Sequence, residues 1–161
     1  MYCDQVLEAE KFMYVCHKCY LSLFPMVLGL LLPDSPKLGA ILGMLENEKE
    51  LWSFYDLRSL SVSDPFFGQG KSYWRGLIWL NINYLTLQSL YRNCMVPGPC
   101  QARAQTIYNQ LRDNIIRNVY KEQQKTGYVW EQYSPEISEG MRSHSFTGWT
   151  SLVLLIMSEK Y

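Results

Sequence analysis

Apolar residues are distributed along this chain in two ways, and the two ways alternate. Residues 20–32, 77–91 and 147–157 are apolar on nearly every side. Residues 36–46 and 101–125 instead carry apolar side chains at i, i+3, i+4 and i+7, which is the spacing of an amphipathic helix. The pattern therefore predicts buried helices that alternate with half-exposed ones.

Residues that stop helices separate these predicted elements. Pro33 follows the first apolar run, a Pro-Gly-Pro sequence stands at 97–99, and Gly127 follows the long amphipathic segment. Proline cannot continue a helix, and glycine readily adopts the left-handed conformation that ends one. Residues 51–70 are rich in serine and contain Pro65 and two glycines, so we expect a loop there.

The alternation predicts an all-α fold with two concentric layers of helices, an α/α toroid. A simple up-and-down bundle would show one apolar stripe on every helix. In a toroid the inner helices run in the same direction, so the loops that lead into them lie at one end. Residues 73–75 and 130–149 lead into the second and third inner helices, and we expect them to meet there.

Aromatic residues are concentrated in these same loops. Glu131 lies between Trp130 and Tyr133, and residues 146–149 and 73–76 form two further aromatic loops. Aromatic rings stack on the apolar faces of sugars, and a carboxylate can activate water. The pattern is therefore typical of a sugar-cleaving site. From the spacing alone, however, the favoured interpretation is a set of core aromatic residues around a solvated loop acid.

Composition narrows the classes of partner. Fifteen basic and fifteen acidic residues cancel in this chain of 161 residues, so no net field attracts nucleic acid or an anionic membrane. The longest apolar run is too short to cross a bilayer, and residues 1–10 lack the basic start of a secretory signal. An aromatic content of 14% suits a carbohydrate ligand.

The five cysteines leave the disulfide state open. An odd number means that at least one thiol is free or pairs outside this segment. Cys16 and Cys19 have the spacing of a CxxC metal or redox pair, but Cys94 and Cys100 do not form the second pair of a zinc site. We therefore expect no metal and no cofactor.

Residues 73–84 read Tyr-Trp-Arg-Gly-Leu-Ile-Trp-Leu-Asn-Ile-Asn-Tyr. This segment resembles the YWRGxxWxNxNY motif of the processing α-glucosidases I, the mannosyl-oligosaccharide glucosidases of glycoside hydrolase family 63. Other motifs of the family agree in order, at residues 20–25, 51–53, 57–60, 130–133 and 146–155. The resemblance covers the chain from Tyr14 onward. It identifies residues 1–161 as the C-terminal portion of the (α/α)6 catalytic domain, about half of the barrel.

The resemblance implies an inverting α-glucosidase of the endoplasmic reticulum. Its substrate would be the glucosylated N-glycan oligosaccharide, from which it removes the outermost α-1,2-linked glucose. Inversion needs an acid and a base whose carboxyl groups lie about 6.5–9.5 Å apart. The base of the family falls on Glu131, whereas the segment that carries the acid has no match here. The missing N-terminal half of the barrel is therefore the expected protein partner.

The expected substrate-binding residues come from the aromatic loops and the helix that follows the first of them. They are Tyr73, Trp74, Arg75, Trp79, Asn81, Trp130, Tyr133 and Trp149. Several have alternative roles: Arg75 could be part of an ion pair, and the tryptophans could be wall or core. Asn81 and Asn83 lie nearly opposite each other on a helix, so only one can face a cleft.

Two other acids and two other functions remain open at this point. Glu136 and Glu139 share the loop of Glu131, and only the flanking aromatic residues and the resemblance favour Glu131. The first alternative function is a catalytically incomplete remnant that binds carbohydrate. The second is a helical scaffold without a ligand. Sugar binding separates the scaffold from the others, and turnover separates the enzyme from the remnant.

Overall fold

A computed structural model describes all residues from 1 to 161 and combines helices with two small antiparallel sheets. The elements in chain order are β1 (Tyr2–Glu8), β2 (Lys11–His17), a 3-10 turn (Tyr20–Leu23) that continues into α1 (Phe24–Val27), α2 (Pro36–Leu45), α3 (Leu80–Met95), α4 (Gln101–Thr126), β3 (Trp130–Tyr133), β4 (Gly140–His144), a second 3-10 turn (Trp149–Leu152) and α5 (Val153–Met157).

The predicted all-α toroid, half of an (α/α)6 barrel, is wrong for this chain. Four strands pair in two hairpins, and two of the three expected buried helices are reduced to short pieces. In residues 20–32, α1 ends after Val27, because Gly29 adopts a left-handed conformation with φ of 69°. The leucines beyond it point into solvent: Leu28, Leu30 and Leu32. Apolar content alone therefore did not mark a buried helix.

The amphipathic helices were predicted correctly, since their sequences contain both a stripe and end signals. α2 begins at Pro36, and the preceding Ser35 caps it, because its side chain accepts a hydrogen bond from the backbone N–H of Lys37. α4 ends at Gly127, whose φ is 80° and whose N–H donates to the carbonyl of Gln123 at 2.8 Å. Residues 51–70 form a loop stabilised by isolated bridges, as expected.

The core lies mainly between α3 and α4, with α1, α2 and α5 packed around them. Leu87 and Leu90 of α3 and Leu111 and Ile115 of α4 are fully buried, and each such side chain contributes about 1.5–3 kcal/mol of transfer free energy. No helix of the structure combines the length and the apolar character that crossing a membrane would require.

One buried amide fastens α3 to the loop that precedes it in the chain. The side-chain oxygen of Asn83 accepts the N–H of Leu57 at 3.0 Å, and its amide nitrogen donates to the hydroxyl of Tyr20 at 3.1 Å. The Tyr20 hydroxyl in turn donates to the carbonyl of Leu57 at 2.6 Å. Asn83 is thus the asparagine of the pair that faces the core, and Asn81 lies on the half-exposed side.

The N-terminal hairpin β1–β2 carries the chain's one disulfide, between Cys3 and Cys16. Cys16 is therefore not available as half of a CxxC pair with Cys19. Cys19, Cys94 and Cys100 are free thiols, and no three His, Cys, Asp or Glu side chains lie together as a metal site would need.

Candidate functional site

The β3–β4 hairpin presents Glu131 at an irregularity in its register. Trp130 pairs with His144 and Gln132 pairs with Met141, so two residues of β4 oppose Glu131 alone. One of the two, Arg142, has a left-handed backbone with φ of 69°. Such a bulge bends the strand and changes the direction of nearby side chains, and bulges are common beside active sites.

The carboxylate of Glu131 binds two partners of different strength. The Tyr73 hydroxyl donates to Oε1 at 2.5 Å, and the backbone N–H of Ser143 donates to Oε2 at 3.4 Å. The hydrogen bond from Tyr73 is the main cause that lowers the pKa of Glu131, and the charge of Arg142 acts in the same direction. Glu131 is therefore an ionised acceptor at neutral pH.

A stack of aromatic rings lies beside this carboxylate. Trp74 stacks on Trp79 with 3.6 Å between ring centroids and 7° between planes, and Trp79 stacks on Trp149 at 5.2 Å. The indole N–H of Trp149 donates to the backbone carbonyl of Glu131 at 2.7 Å. Trp74 is 53% exposed, while Trp79 is 2% exposed. Of these rings, Trp74 has the widest surface for a ligand.

Other predicted binding residues support the hairpin from within. Tyr133 is fully buried, and its backbone pairs with Ile78, so it offers no face to a sugar; burial raises its pKa to about 12. Trp130 is half-buried against His144 at 4.2 Å. Its indole N–H donates to the Thr126 hydroxyl at 3.2 Å.

Arg75 and Asn81 make only local contacts. The Arg75 guanidinium lies over the Phe66 ring at 5.4 Å and donates weakly to the carbonyl of Gln69 at 3.4 Å. The predicted alternative, an ion pair of Arg75, is not among the salt bridges of the structure. The side-chain oxygen of Asn81 accepts the neighbouring N–H of Ile82 at 2.9 Å.

The two competing acids have different surroundings from Glu131. Glu139 accepts a hydrogen bond from the Lys125 ammonium at 3.0 Å, on the exposed side of α4. Glu136 is exposed in the turn between β3 and β4. Neither carboxylate is hydrogen-bonded to the aromatic loop around Tyr73, so the geometry favours Glu131 among the three.

Sequence reasoning missed a buried polar chain that fixes the hairpin to the body of the molecule. Asp56 is fully buried and accepts the Asn118 amide at 2.9 Å, and Asn118 in turn accepts the hydroxyl of Ser138 in the β3–β4 turn. One turn further along α4, Glu122 accepts the N–H of Gly140 at 3.1 Å. Asn118 and Glu122 lie on the apolar face of α4, and polar residues at stripe positions were the available signal.

The pKa of Asp56 is raised well above its ordinary value, because burial penalises its charge more than the Asn118 hydrogen bond favours it. Its Oδ1 has no hydrogen-bond partner. Asp56 is therefore a structural acid inside the fold, in contrast to the partly exposed Glu131.

Comparison with known proteins finds similarity to glycoside hydrolases. The model of the glycosyl hydrolase family 63 C-terminal domain matches residues 2–159. The chain is 52% identical to a probable mannosyl-oligosaccharide glucosidase of Schizosaccharomyces pombe over 99% of its own length, and 37% identical to the mannosyl-oligosaccharide glucosidase of Saccharomyces cerevisiae over 97%. It spans only 20% of the length of each of these relatives.

A solved structure shares the fold. The GH63 mannosylglycerate hydrolase from Thermus thermophilus, in complex with glucose, superposes with a TM-score of 0.69 at 19% identity. The similarity covers 90% of this chain and 32% of that one.

Proposed function

Because this chain belongs to glycosyl hydrolase family 63, we propose that it forms the C-terminal portion of the catalytic domain of an inverting α-glucosidase. Its substrate is the glucosylated N-linked oligosaccharide precursor, from which the enzyme removes the terminal α-1,2-linked glucose. The observation that carries the proposal is an ionised Glu131 on a bulged hairpin, next to the exposed ring of Trp74. The names of the two yeast relatives support this choice of substrate.

In the proposed reaction Glu131 is the general base. A water oxygen attacks the anomeric carbon while Glu131 takes a proton from that water. The bond from the anomeric carbon to the glycosidic oxygen breaks on the opposite face of the sugar, and the leaving oxygen receives a proton from a carboxylic acid. The products are glucose with inverted anomeric configuration and the oligosaccharide shortened by one residue.

The acid is supplied by another part of a longer polypeptide. The curated relatives are several times longer than this chain, and none of its other acidic residues lies in a sequence context that matches the family's acid. The protein partner of this segment is thus the remainder of the catalytic domain, packed so that its acid faces Glu131 across the bound sugar.

The endoplasmic reticulum is the proposed compartment. N-glycan precursors are processed there in the family that the chain resembles. The disulfide between Cys3 and Cys16 fits this location, because such bonds persist in the oxidising secretory pathway and are rare in the cytosol.

The test is the release of glucose from a glucosylated oligosaccharide by the longer polypeptide, followed by proton NMR from the first minute. We expect β-glucose to appear first and α-glucose to follow by mutarotation. If α-glucose appears first, the mechanism retains configuration and the assignment of Glu131 as a base is wrong. If the polypeptide binds the oligosaccharide without releasing glucose, the segment is a carbohydrate-binding remnant instead.

A further inference from the structure

We propose that Tyr73 is a positioning residue that reserves one oxygen of Glu131 for itself and leaves the other, Oε2, to activate the attacking water. This inference rests on the proposed function and deepens it. It assigns to Tyr73 a role that acts through Glu131, in place of the direct contact with sugar that its sequence motif predicts.

The contact between the two side chains is short and has a fixed direction. The Tyr73 hydroxyl lies 2.5 Å from Oε1 of Glu131, and an ionised carboxylate can only accept. The same hydrogen bond raises the pKa of Tyr73, so the phenol keeps its proton and remains the donor. Since a phenol has one O–H, Tyr73 cannot donate to a sugar hydroxyl while this bond persists.

The backbone of Tyr73 is held by two buried donors. Its carbonyl oxygen accepts the indole N–H of Trp79 at 3.0 Å and the side-chain amide of Gln132 at 3.2 Å. Gln132 is fully buried and is the neighbour of Glu131 in β3. The amide therefore ties the loop of Tyr73 to the strand that carries the base, and supporting contacts of this kind hold a reactive group in place.

The ring of Tyr73 is held as well. It meets Trp79 edge to face, with 4.7 Å between centroids and planes at 90°, and the guanidinium of Arg142 lies 5.6 Å from its centre. Arg142 also donates to the backbone carbonyl of Lys71, two residues before Tyr73. The phenol is thus restrained on its backbone side and on its ring side, so its direction towards Glu131 is preset.

The second oxygen of Glu131 is left with free acceptor capacity. Oε2 receives the N–H of Ser143 at 3.4 Å, a distance beyond that of an ordinary N–H···O bond, and the Ser143 side chain, like its backbone, helps to lower the pKa of Glu131. A carboxylate oxygen has two lone-pair directions, so Oε2 can accept a proton from a water molecule. The arrangement distinguishes two oxygens that would otherwise exchange by rotation of the side chain.

Removing the phenol oxygen of Tyr73 has different consequences if Tyr73 positions Glu131 than if it binds the sugar directly. In Tyr73→Phe the pKa of Glu131 rises, because its strongest hydrogen bond is lost. The acid limb of kcat, where Glu131 gains a proton, then moves to higher pH. We expect kcat to fall by about ten- to a hundredfold through lost orientation, with KM nearly unchanged. If Tyr73 bound the substrate directly, KM would rise and the acid limb would stay in place.

The closing experiment measures the pKa of the Glu131 carboxyl by carbon-13 NMR in this 161-residue chain. Wild type, Tyr73→Phe and Tyr128→Phe are compared. Tyr128 is a matched control, an exposed tyrosine whose ring packs on His144 at 4.9 Å. We expect an upward shift in Tyr73→Phe and no shift in Tyr128→Phe, with a matching displacement of the acid limb in the longer glucosidase.

An unchanged pKa in Tyr73→Phe, or equal shifts in both variants, overturns the inference and leaves the proposed function standing. A raised KM with an unmoved acid limb overturns it in favour of a sugar contact. A different result would show that the proposed function is wrong: the pKa of Glu131 shifts as expected, but the glucosidase keeps its turnover when Glu131 is replaced by Gln.

Discussion

The surroundings of two carboxyl groups in this chain shift their pKa values in opposite directions. Glu131 accepts the Tyr73 hydroxyl near the charge of Arg142, and its pKa is lowered. Asp56 is enclosed by the fold, and its pKa is raised. A general base must be ionised and reachable by water. Of these two groups only Glu131 meets both conditions, and Asp56 belongs to the framework that holds the hairpin.

The burial of Asp56 leads to a prediction about stability. A raised pKa in the folded state means that the protonated form is favoured by folding. The contribution of protonated Asp56 to the free energy of unfolding is fully present below the pKa that Asp56 has in the unfolded chain. It is lost as pH rises through the pKa of Asp56 in the folded protein. Asp56→Asn removes the charge, so we expect the variant to melt at or above the wild-type temperature at pH 7.

The difference in melting temperature between Asp56→Asn and wild type should shrink as pH falls, since wild-type Asp56 is then protonated too. Thermal denaturation between pH 4 and pH 8 measures it. A loss of stability in Asp56→Asn that grows as pH rises would contradict the prediction, because it would mean that the carboxylate's hydrogen bond from Asn118 outweighs the cost of burying the charge.

The surroundings of Trp74 and Trp130 predict opposite outcomes for their replacement. Trp74 is exposed and stacked on Trp79, so Trp74→Ala should weaken oligosaccharide binding by up to about tenfold while the helical circular dichroism remains. Trp130 packs between His144 and the backbone of Gly140, so Trp130→Ala should lower the free energy of unfolding by about 2 kcal/mol or more.

Titration calorimetry and denaturant unfolding of the two variants provide the check. Loss of helical signal in Trp74→Ala would place that ring in the core and remove it from the site.

At the level of single residues, the sequence indicated the neighbourhood of the site but not the role of each ring. The flanking Trp130 and Tyr133 led to the choice of Glu131, which stays a prediction. However, aromatic residues are common both in cores and in sugar sites, and letters do not show which face of a strand a ring occupies. The sequence therefore could not show that the Tyr133 ring is buried in the core. Arg142 and Ser143 were missed because their contacts with Glu131 depend on the bulge.

At the level of elements, predictability followed length and periodicity. α2 and α4 carry a stripe of apolar residues over several turns together with end signals, and they were found. β3 has four residues and β4 has five, too few for an alternating pattern to stand out. Residues 147–157 read as one apolar helix, but the structure divides them between a 3-10 turn and the short α5.

The β3–β4 hairpin depends on a glycine that allows Trp130 to approach the backbone. A Cβ atom at Gly140 would overlap the Trp130 ring, so Gly140→Ala must displace the ring. We expect a loss of about 3 kcal/mol, the upper end for overpacking, and a shift in tryptophan fluorescence. Gly127→Ala is the control, because its added Cβ meets nothing within 4 Å.

Gly127→Ala should lower the free energy of unfolding by only about 1 kcal/mol, because alanine is strained in the left-handed conformation of residue 127. It should leave the fluorescence unchanged. Urea unfolding followed by fluorescence compares the two. Equal costs and unchanged spectra in both variants would show that Trp130 does not pack on Gly140.

At the level of the whole molecule, the concentric arrangement was wrong although the meeting of the aromatic loops was right. The toroid was inferred from three all-round apolar segments, but only α3 became a long helix. Leucines in the other two segments are exposed, including Leu30 and Leu154. In sequence, apolar residues that lie at the surface look the same as apolar residues of a core, so the pattern could not tell the two apart. This chain spans a fifth of the length of its curated relatives.

We propose that the complete site belongs to a longer polypeptide, so the catalytic role of Glu131 is tested there. Glu131→Gln keeps the shape and hydrogen-bonding capacity of the side chain but cannot take a proton from water. We expect hydrolysis of the glucosylated oligosaccharide to fall by at least about a hundredfold, the usual scale for a lost general base, while the binding of the oligosaccharide changes little.

Glu136→Gln and Glu139→Gln are the matched controls, since the first side chain is exposed and the second pairs with Lys125. The measurement is the rate of glucose release by the three variants, with each dissociation constant determined beside it. The predicted result is a specific loss of turnover in Glu131→Gln alone. Normal turnover in Glu131→Gln, with a loss in either control, would contradict the assignment of the base.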